Sequence, residues 1–303
     1  MNNIAFVRYT KFLVVMVFLV IIAGGVVRMT QSGMGCPDWP KCFGMWVPPT
    51  NANQLPADFE KYLKQQDIDH TFNVYHTWIE YLNRLLGALL GIFILIHTVW
   101  AFRKYYTTNK KIFWWSFALL LAVAFQGWLG KKVVDANLAV VKITIHMLGA
   151  LVIAAIPVYI IHLVQAKQKI VNKPIKLWCT IALVLLLLQI ILGTEVREQI
   201  DEISKLLNYQ QRDLWIDRLD IWFKIHRTFS LVITGFLVLI FIKSKSETRL
   251  LKAAAFNVFL VVVLIALGII MNYANIPALA QPMHLLASAI LAVSLFNFRL
   301  KLL

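Results

Sequence analysis

"KFLVVMVFLVIIAGGVV", residues 11–27, runs without a charge after Lys11. Crossing about 30 Å of hydrocarbon takes roughly 17 to 25 apolar helical residues, so this stretch reads as a transmembrane span. Basic residues precede it, as they would a secretory leader, but its apolar core is longer than a leader's and no small-x-small cleavage site follows. It is expected to stay in the protein. Seven more runs lie near 85–102, 113–130, 143–165, 177–196, 228–242, 253–272 and 284–298. They are continuous and not alternating, which favours helices over a barrel, because each helix satisfies its own backbone hydrogen bonds in lipid. Composition agrees: 60% of the 303 residues are hydrophobic and 15% charged, with a mean hydropathy of +0.71, outside the range of soluble domains. The expected fold class is an all-α integral membrane protein with eight transmembrane helices.

Positive charge settles the expected orientation. With the N-terminus inside, the inner segments carry Arg8 and Lys11, then Arg103, Lys104, Lys110 and Lys111, then Lys167, Lys169, Lys173 and Lys176. Lys243, Lys245, Arg249, Lys252, Arg299 and Lys301 complete them. These are 16 of the 30 basic residues, with Glu247 their one acid, so the whole net charge of +15 falls inside. Short Lys- and Arg-rich loops stay cytoplasmic, which gives an N-in, C-in arrangement. The positive balance is therefore a topology signal. No nucleic-acid-binding motif accompanies it, and no nucleic-acid partner is expected.

The two halves repeat. "QGWLG" (126–130) closes the third span and His146 follows Gly130 by 16 residues; "ALG" (266–268) lies in the seventh span and His284 follows Gly268 by 16. The first span ends in "VVR" at Arg28 and the fifth in "EVR" at Arg197, each before a long polar outer segment. Those segments lead into "LNRLLG" (82–87) and "IHRTFS" (225–230). Such matches imply two tandem four-helix bundles, 1–170 and 171–303, related by a pseudo-two-fold axis along the membrane normal.

Asn83, His146, His226 and His284 fall near the outer ends of the even-numbered spans, level with Arg28, Arg84, Arg197 and Arg227. Ionisable groups at membrane depth are costly and mark functional sites. One alone would pass as an interfacial residue, whereas the matched intervals join these into a set. Paired imidazoles on facing helices suit haem ligation, since each offers the iron a neutral nitrogen while the low-dielectric bundle shields the macrocycle. The second half supplies a full pair, His226 and His284. Arginines at the helix mouths suit haem propionates, through charge-assisted and often bidentate hydrogen bonds. The first half offers Asn83 and His146, one imidazole short. His97 and His162 lie at similar inner depths, but His162 follows His146 by 16 residues, a rotation of about 160°, so a second, inner haem is not expected.

With "GGVVRMTQSGMGCPDWPKC" (24–42), "EYLNR" (80–84), "QGWLG" (126–130), the late histidine pair and the eight-helix duplication, the chain resembles the heme A synthase family over nearly its whole length. That resemblance implies oxidation of the C8 methyl of heme O to the formyl of heme A, by successive hydroxylations and loss of water, for cytochrome c oxidase. It implies a bound haem b on His226 and His284, and substrate heme O in the first half on His146. It further implies a bacterial inner membrane location, haem sites towards the periplasmic side, and supply of heme O by a haem farnesyltransferase. The electron donor, the source of oxygen and homo-oligomer formation are left open.

The family's first-half pattern is Glu-x-x-His-Arg, its Glu thought catalytic. Glu80 and Arg84 match; Asn83 stands where the family usually has His. An amide oxygen is a hard, weak ligand for haem iron, so His146 alone is expected to hold the substrate iron, with an open face beside Glu80. An open face suits oxygen activation. It equally suits a non-catalytic, b-type electron-transfer protein whose first site has degenerated, the alternative reading. Glu80 by itself is either an interfacial acid paired with Arg84 at i+4 or a partly desolvated carboxyl that relays protons beside haem. His76, seven residues before Asn83, lies about 10 Å further out along a helix. Cys36 and Cys42 fall in the first outer segment, on the oxidising side, and are expected to form a disulfide; a redox-active role is the alternative to a loop staple. Cys179 is expected to be a buried thiol. Two amphipathic stretches, 57–66 and 198–222, are expected to lie at the interface as lids over the haem sites.

Overall fold

Side-chain caps set where three of the long helices begin. Asn73 Oδ1 accepts the N–H groups of Tyr75 and His76 at 3.0 and 3.3 Å, and Asn172 Oδ1 that of Ile175 at 3.0 Å. Asp220 accepts that of Trp222 at 2.8 Å. These are donors the first helical turn leaves unpaired. The computed structural model describes residues 3–64, 72–135, 140–166 and 168–303. Gln65 and Gln66 of the first amphipathic stretch, and Lys167 of the inner basic loop, lie outside the described residues. The helices are α1 (Asn3–Met29), α2 (Glu60–Lys64), α3 (Val74–Tyr105), α4 (Lys110–Asp135), α5 (Val140–Gln165), α6 (Lys173–Leu206), α7 (Ile221–Lys243), α8 (Thr248–Tyr273) and α9 (Ala280–Leu300). Among the described residues, all but α2 are long and apolar enough to cross a membrane, eight spans in all. The chain is an all-α, multi-pass membrane protein.

By packing, the chain forms two units, Met1–Pro157 and Val158–Leu303, divided within α5 just after its internal proline. In the first unit α3 packs against both α1 and α4, and polar contacts pin the apolar faces. His97 is fully buried; its Nε2 meets Thr10 Oγ1 at 3.0 Å and its ring stacks on Phe6 at 4.6 Å. Thr98 Oγ1 donates to Ser116 O on α4 at 3.0 Å. In the second unit α6 packs on α7 and α9, and α8 on α7 and α9. Ser294 Oγ donates to Asn257 Oδ1 at 2.6 Å, and His162 Nε2 meets Asn297 Oδ1 at 2.8 Å. Cys179 is a buried free thiol that donates to Leu295 O at 3.6 Å. In an apolar medium such bonds add to van der Waals packing as the source of helix cohesion.

Two helices are longer than their apolar cores. α3 has 32 residues and α6 has 34, roughly 48 and 51 Å at 1.5 Å per residue, against about 30 Å of hydrocarbon. α3 begins at Val74 and not near 85, so Glu80, Asn83 and Arg84 stand inside the helix. α6 runs on through 198–206, a segment expected to lie separately at the interface. Hydropathy registers the apolar part of a helix alone, while backbone bonding continues through polar turns, here helped by an Arg197–Asp201 pair at 2.8 Å. Of stretch 57–66, Glu60–Lys64 forms α2.

Each unit carries a small apolar cluster in its polar segments. In the first it comprises Cys36, Cys42 and Phe43, with Met45, Leu55, Tyr62, Phe72 and Tyr81 against them. In the second it is Ile203, Trp215 and Ile276, packed by Ile200, Leu207, Ile216 and Leu219.

Candidate functional site

The first unit's site is built on the first three turns of α3. Cys36 and Cys42 form the expected disulfide, Cα to Cα 4.9 Å. The loop they close folds onto α3, and Gly35 makes this approach feasible: a Cβ there would run into the backbone of His76 and Thr77. Glu80 is 3% exposed. Its Oε2 accepts the Cys36 N–H at 2.8 Å and its Oε1 accepts Nε and Nη2 of Arg84. Arg84 Nη1 donates to Asp38 O and Lys41 O, and Nη2 also donates to Cys36 O at 2.7 Å. Its five N–H donors are thus all engaged by the carboxylate and by loop carbonyls. Arg84, one of the arginines expected to serve haem propionates, holds the disulfide loop in this structure.

The other arginines are placed differently. Arg28 lies half-buried in the last turn of α1. Arg197 pairs with Asp201. Arg227 is exposed, its guanidinium 5.7 Å from the Phe223 ring centroid.

Asn83 sits on α3, His146 on α5, His226 on α7 and His284 on α9, each half-buried. Asn83 Oδ1 and the Nδ1 atoms of all three histidines are buried. His226 and His284 belong to the same unit. A neutral imidazole has one ring nitrogen free to bind a ligand, and these three histidines stand near the starts of α5, α7 and α9. These residues fit haem: neutral imidazoles are its commonest protein donors, and the second unit offers two together.

The contacts of two pairs of residues escaped the sequence reading. Gln126 on α4 donates from Nε2 to the main-chain carbonyl of His146, and Gln189 on α6 does the same to His226 at 2.8 Å. A Cβ built on Gly130 would stand 3.3 Å from Cε1 of His146, and one on Gly193 would stand 3.0 Å from Cε1 of His226. Gly268, which pairs with Gly130 by its interval to a histidine, meets nothing within 4 Å. The available signal was the string "QIILG" (189–193) beside "QGWLG" (126–130).

Eight spanning helices in two helical units, with imidazoles near the starts of α5, α7 and α9, define a multi-pass, all-α membrane protein. The chain belongs to the COX15-CtaA family of cytochrome oxidase assembly proteins, which matches residues 7–296. It is similar to heme A synthases of several bacteria. That of Flavobacterium psychrophilum is 26% identical, with 89% of each chain covered. That of Pelagibacter ubique is 28% identical over 63% of this chain and 62% of the relative, and that of Shewanella oneidensis 30% identical over 45% and 38%. The chain therefore spans between 38% and 62% of the length of the first curated relatives it matches.

Proposed function

We propose that this protein is a heme A synthase of the bacterial inner membrane, oxidising the C8 methyl of heme O to a formyl group for cytochrome c oxidase. The observation that carries the reading is the set of imidazoles whose ring nitrogens are buried at three of the four matched positions, in a chain of this family. His226 and His284 would hold haem b in the second half, and His146 would hold the iron of heme O in the first. Bound haem supplies one-electron chemistry and a site for oxygen. Glu80, one turn before Asn83 on α3, is the acid–base residue, a carboxylate buried and fixed by Arg84 and the Cys36 N–H. Arg84 fixes Glu80 and the loop, and Arg28, Arg197 and Arg227 are the arginines we assign to the propionates. The outer segments shield both sites from the periplasm, and heme O arrives from a haem farnesyltransferase.

Asn83 favours a second reading, a non-catalytic b-type electron-transfer protein with a degenerate first site, because an amide is a poor iron donor. Purified protein incubated with heme O, a reductant and oxygen, followed by haem extraction, separates the two. Hydroxylated haem or heme A supports the synthase. Unaltered heme O beside a normal b-type spectrum supports the second reading.

A further inference from the structure

One glycine of a matched set stands on each of α1, α4, α6 and α8. Gly24 and Gly193 come four residues before Arg28 and Arg197, and Gly130 and Gly268 come 16 before His146 and His284. Within a helix the glycine's N–H bonds the carbonyl four residues earlier, which belongs to Val20, Gln126, Gln189 or Leu264. Two of those carbonyls have a further partner. The His226 ring is hydrogen-bonded to the main-chain carbonyl of Gln189, and the His284 ring to that of Leu264. A carbonyl oxygen has two lone pairs, so it can accept from the ring without giving up its helical donor. Gln189 and His226 are joined twice, because Gln189 Nε2 also donates to His226 O at 2.8 Å.

A carbonyl only accepts, so the ring nitrogen that faces it carries the proton and the other is left bare for a metal. In His226, Nδ1 stands nearer than Nε2 to the place a Gly193 Cβ would take, 3.6 against 3.8 Å, and Nδ1 is buried in both rings. The two seats differ in tightness. A Cβ on Gly193 would stand 3.0 Å from Cε1 of His226, whereas one on Gly268 would meet nothing within 4 Å. We propose that the helical carbonyls of Gln189 and Leu264 hold the Nδ1 protons of His226 and His284, setting both rings to bind iron through Nε2, and that Gly193 is a positioning residue whose missing Cβ lets the His226 ring reach its carbonyl. The inference rests on the haem ligation by this pair proposed above.

An acceptor on the second ring nitrogen makes a ligating imidazole more basic, and so stabilises the oxidised iron. Full-length protein purified with its haem, as wild type, Gly193→Ala and Gly268→Ala, is titrated optically for reduction potential and examined by EPR when oxidised. Gly193→Ala pushes the ring off its carbonyl, which raises the potential of the low-spin haem and shifts its g-values. Gly268→Ala, whose Cβ has room, changes neither. A Gly193→Ala protein like wild type, or equal shifts in the two variants, overturns the proposal. Should Gly193→Ala lose its haem, the wild type decides alone: reduced, diamagnetic protein labelled with 15N-histidine is exchanged into deuterated buffer and followed by NMR. Slowly exchanging Nδ1–H protons on both iron ligands sustain the proposal, and rapid exchange at either overturns it. A wild-type protein with no bis-imidazole EPR signal overturns the ligation reading, and this inference with it, a failure told apart because it needs no variant.

Discussion

Arg84 holds the first outer loop by geometry that a different cation cannot reproduce. A guanidinium offers five donors in a planar fork, an ammonium three at one point, and here the fork spans Glu80 and the carbonyls of Cys36, Asp38 and Lys41. The pair is deeply placed, its side chains 14% and 5% exposed. Removing one partner of a buried ion pair costs about 3–5 kcal/mol. Arg84→Ala is accordingly expected to lower unfolding stability by that order and to speed reduction of the Cys36–Cys42 disulfide by dithiothreitol, followed by alkylation and mass spectrometry; Arg84→Lys should recover only part of each. A melting midpoint and reduction rate equal to wild type would sink the clamp. The Glu80–Arg84 pairing was legible at i+4 spacing, but the carbonyl partners were not, since they come from a loop more than 40 residues away in sequence. Asn83 gives a second test. Asn83→His restores an imidazole at the fourth position, and protein loaded with haem should then gain a second low-spin, bis-imidazole EPR signal. An unchanged signal at full haem loading would mean that the α3 position does not face the iron.

The eight spans were legible because hydrocarbon demands long, uncharged helices, whereas their ends were not, because polar turns such as 74–84 and 198–206 remain helical beyond the apolar core. The same limit hid the approach of Gln189 and Gly193 to His226. Which glycine lies against which histidine depends on the helices that pack together, and the interval that joined Gly268 to His284 describes separation along the chain alone. Helix pairing makes its own prediction at α1 and α3. The Thr10–His97 bond lies in a fully buried contact, where interhelical hydrogen bonds in membranes average about 0.6 kcal/mol and reach about 1.7. Thr10→Val should therefore destabilise by up to that amount and Thr10→Ser by much less, read from unfolding in mixed detergent. Loss in Thr10→Ser with none in Thr10→Val would assign the effect to packing of the methyl group and not to the hydroxyl.

At the scale of the whole molecule, the distribution of charge predicts which side the site faces. Asn83, His146, His226 and His284 each lie within the first three turns of their helices, which begin at Val74, Val140, Ile221 and Ala280. If the basic segments are cytoplasmic, these turns lie at the outer face, where the disulfide loop meets an oxidising compartment. The arrangement can be read without touching the site. Cys36 and Cys42 are joined and Cys179 is buried, so a single introduced cysteine reports its own location. Thr107→Cys and Ser246→Cys, both exposed between helices, should react with a membrane-impermeant maleimide in inverted vesicles and not in intact spheroplasts. Asn51→Cys and Gln210→Cys, exposed in the other segments, should do the reverse. The opposite pattern at all four would invert the protein. It would move Glu80, Asn83 and the histidines to the reducing side, where the first outer loop would no longer meet the oxidising conditions that its disulfide requires.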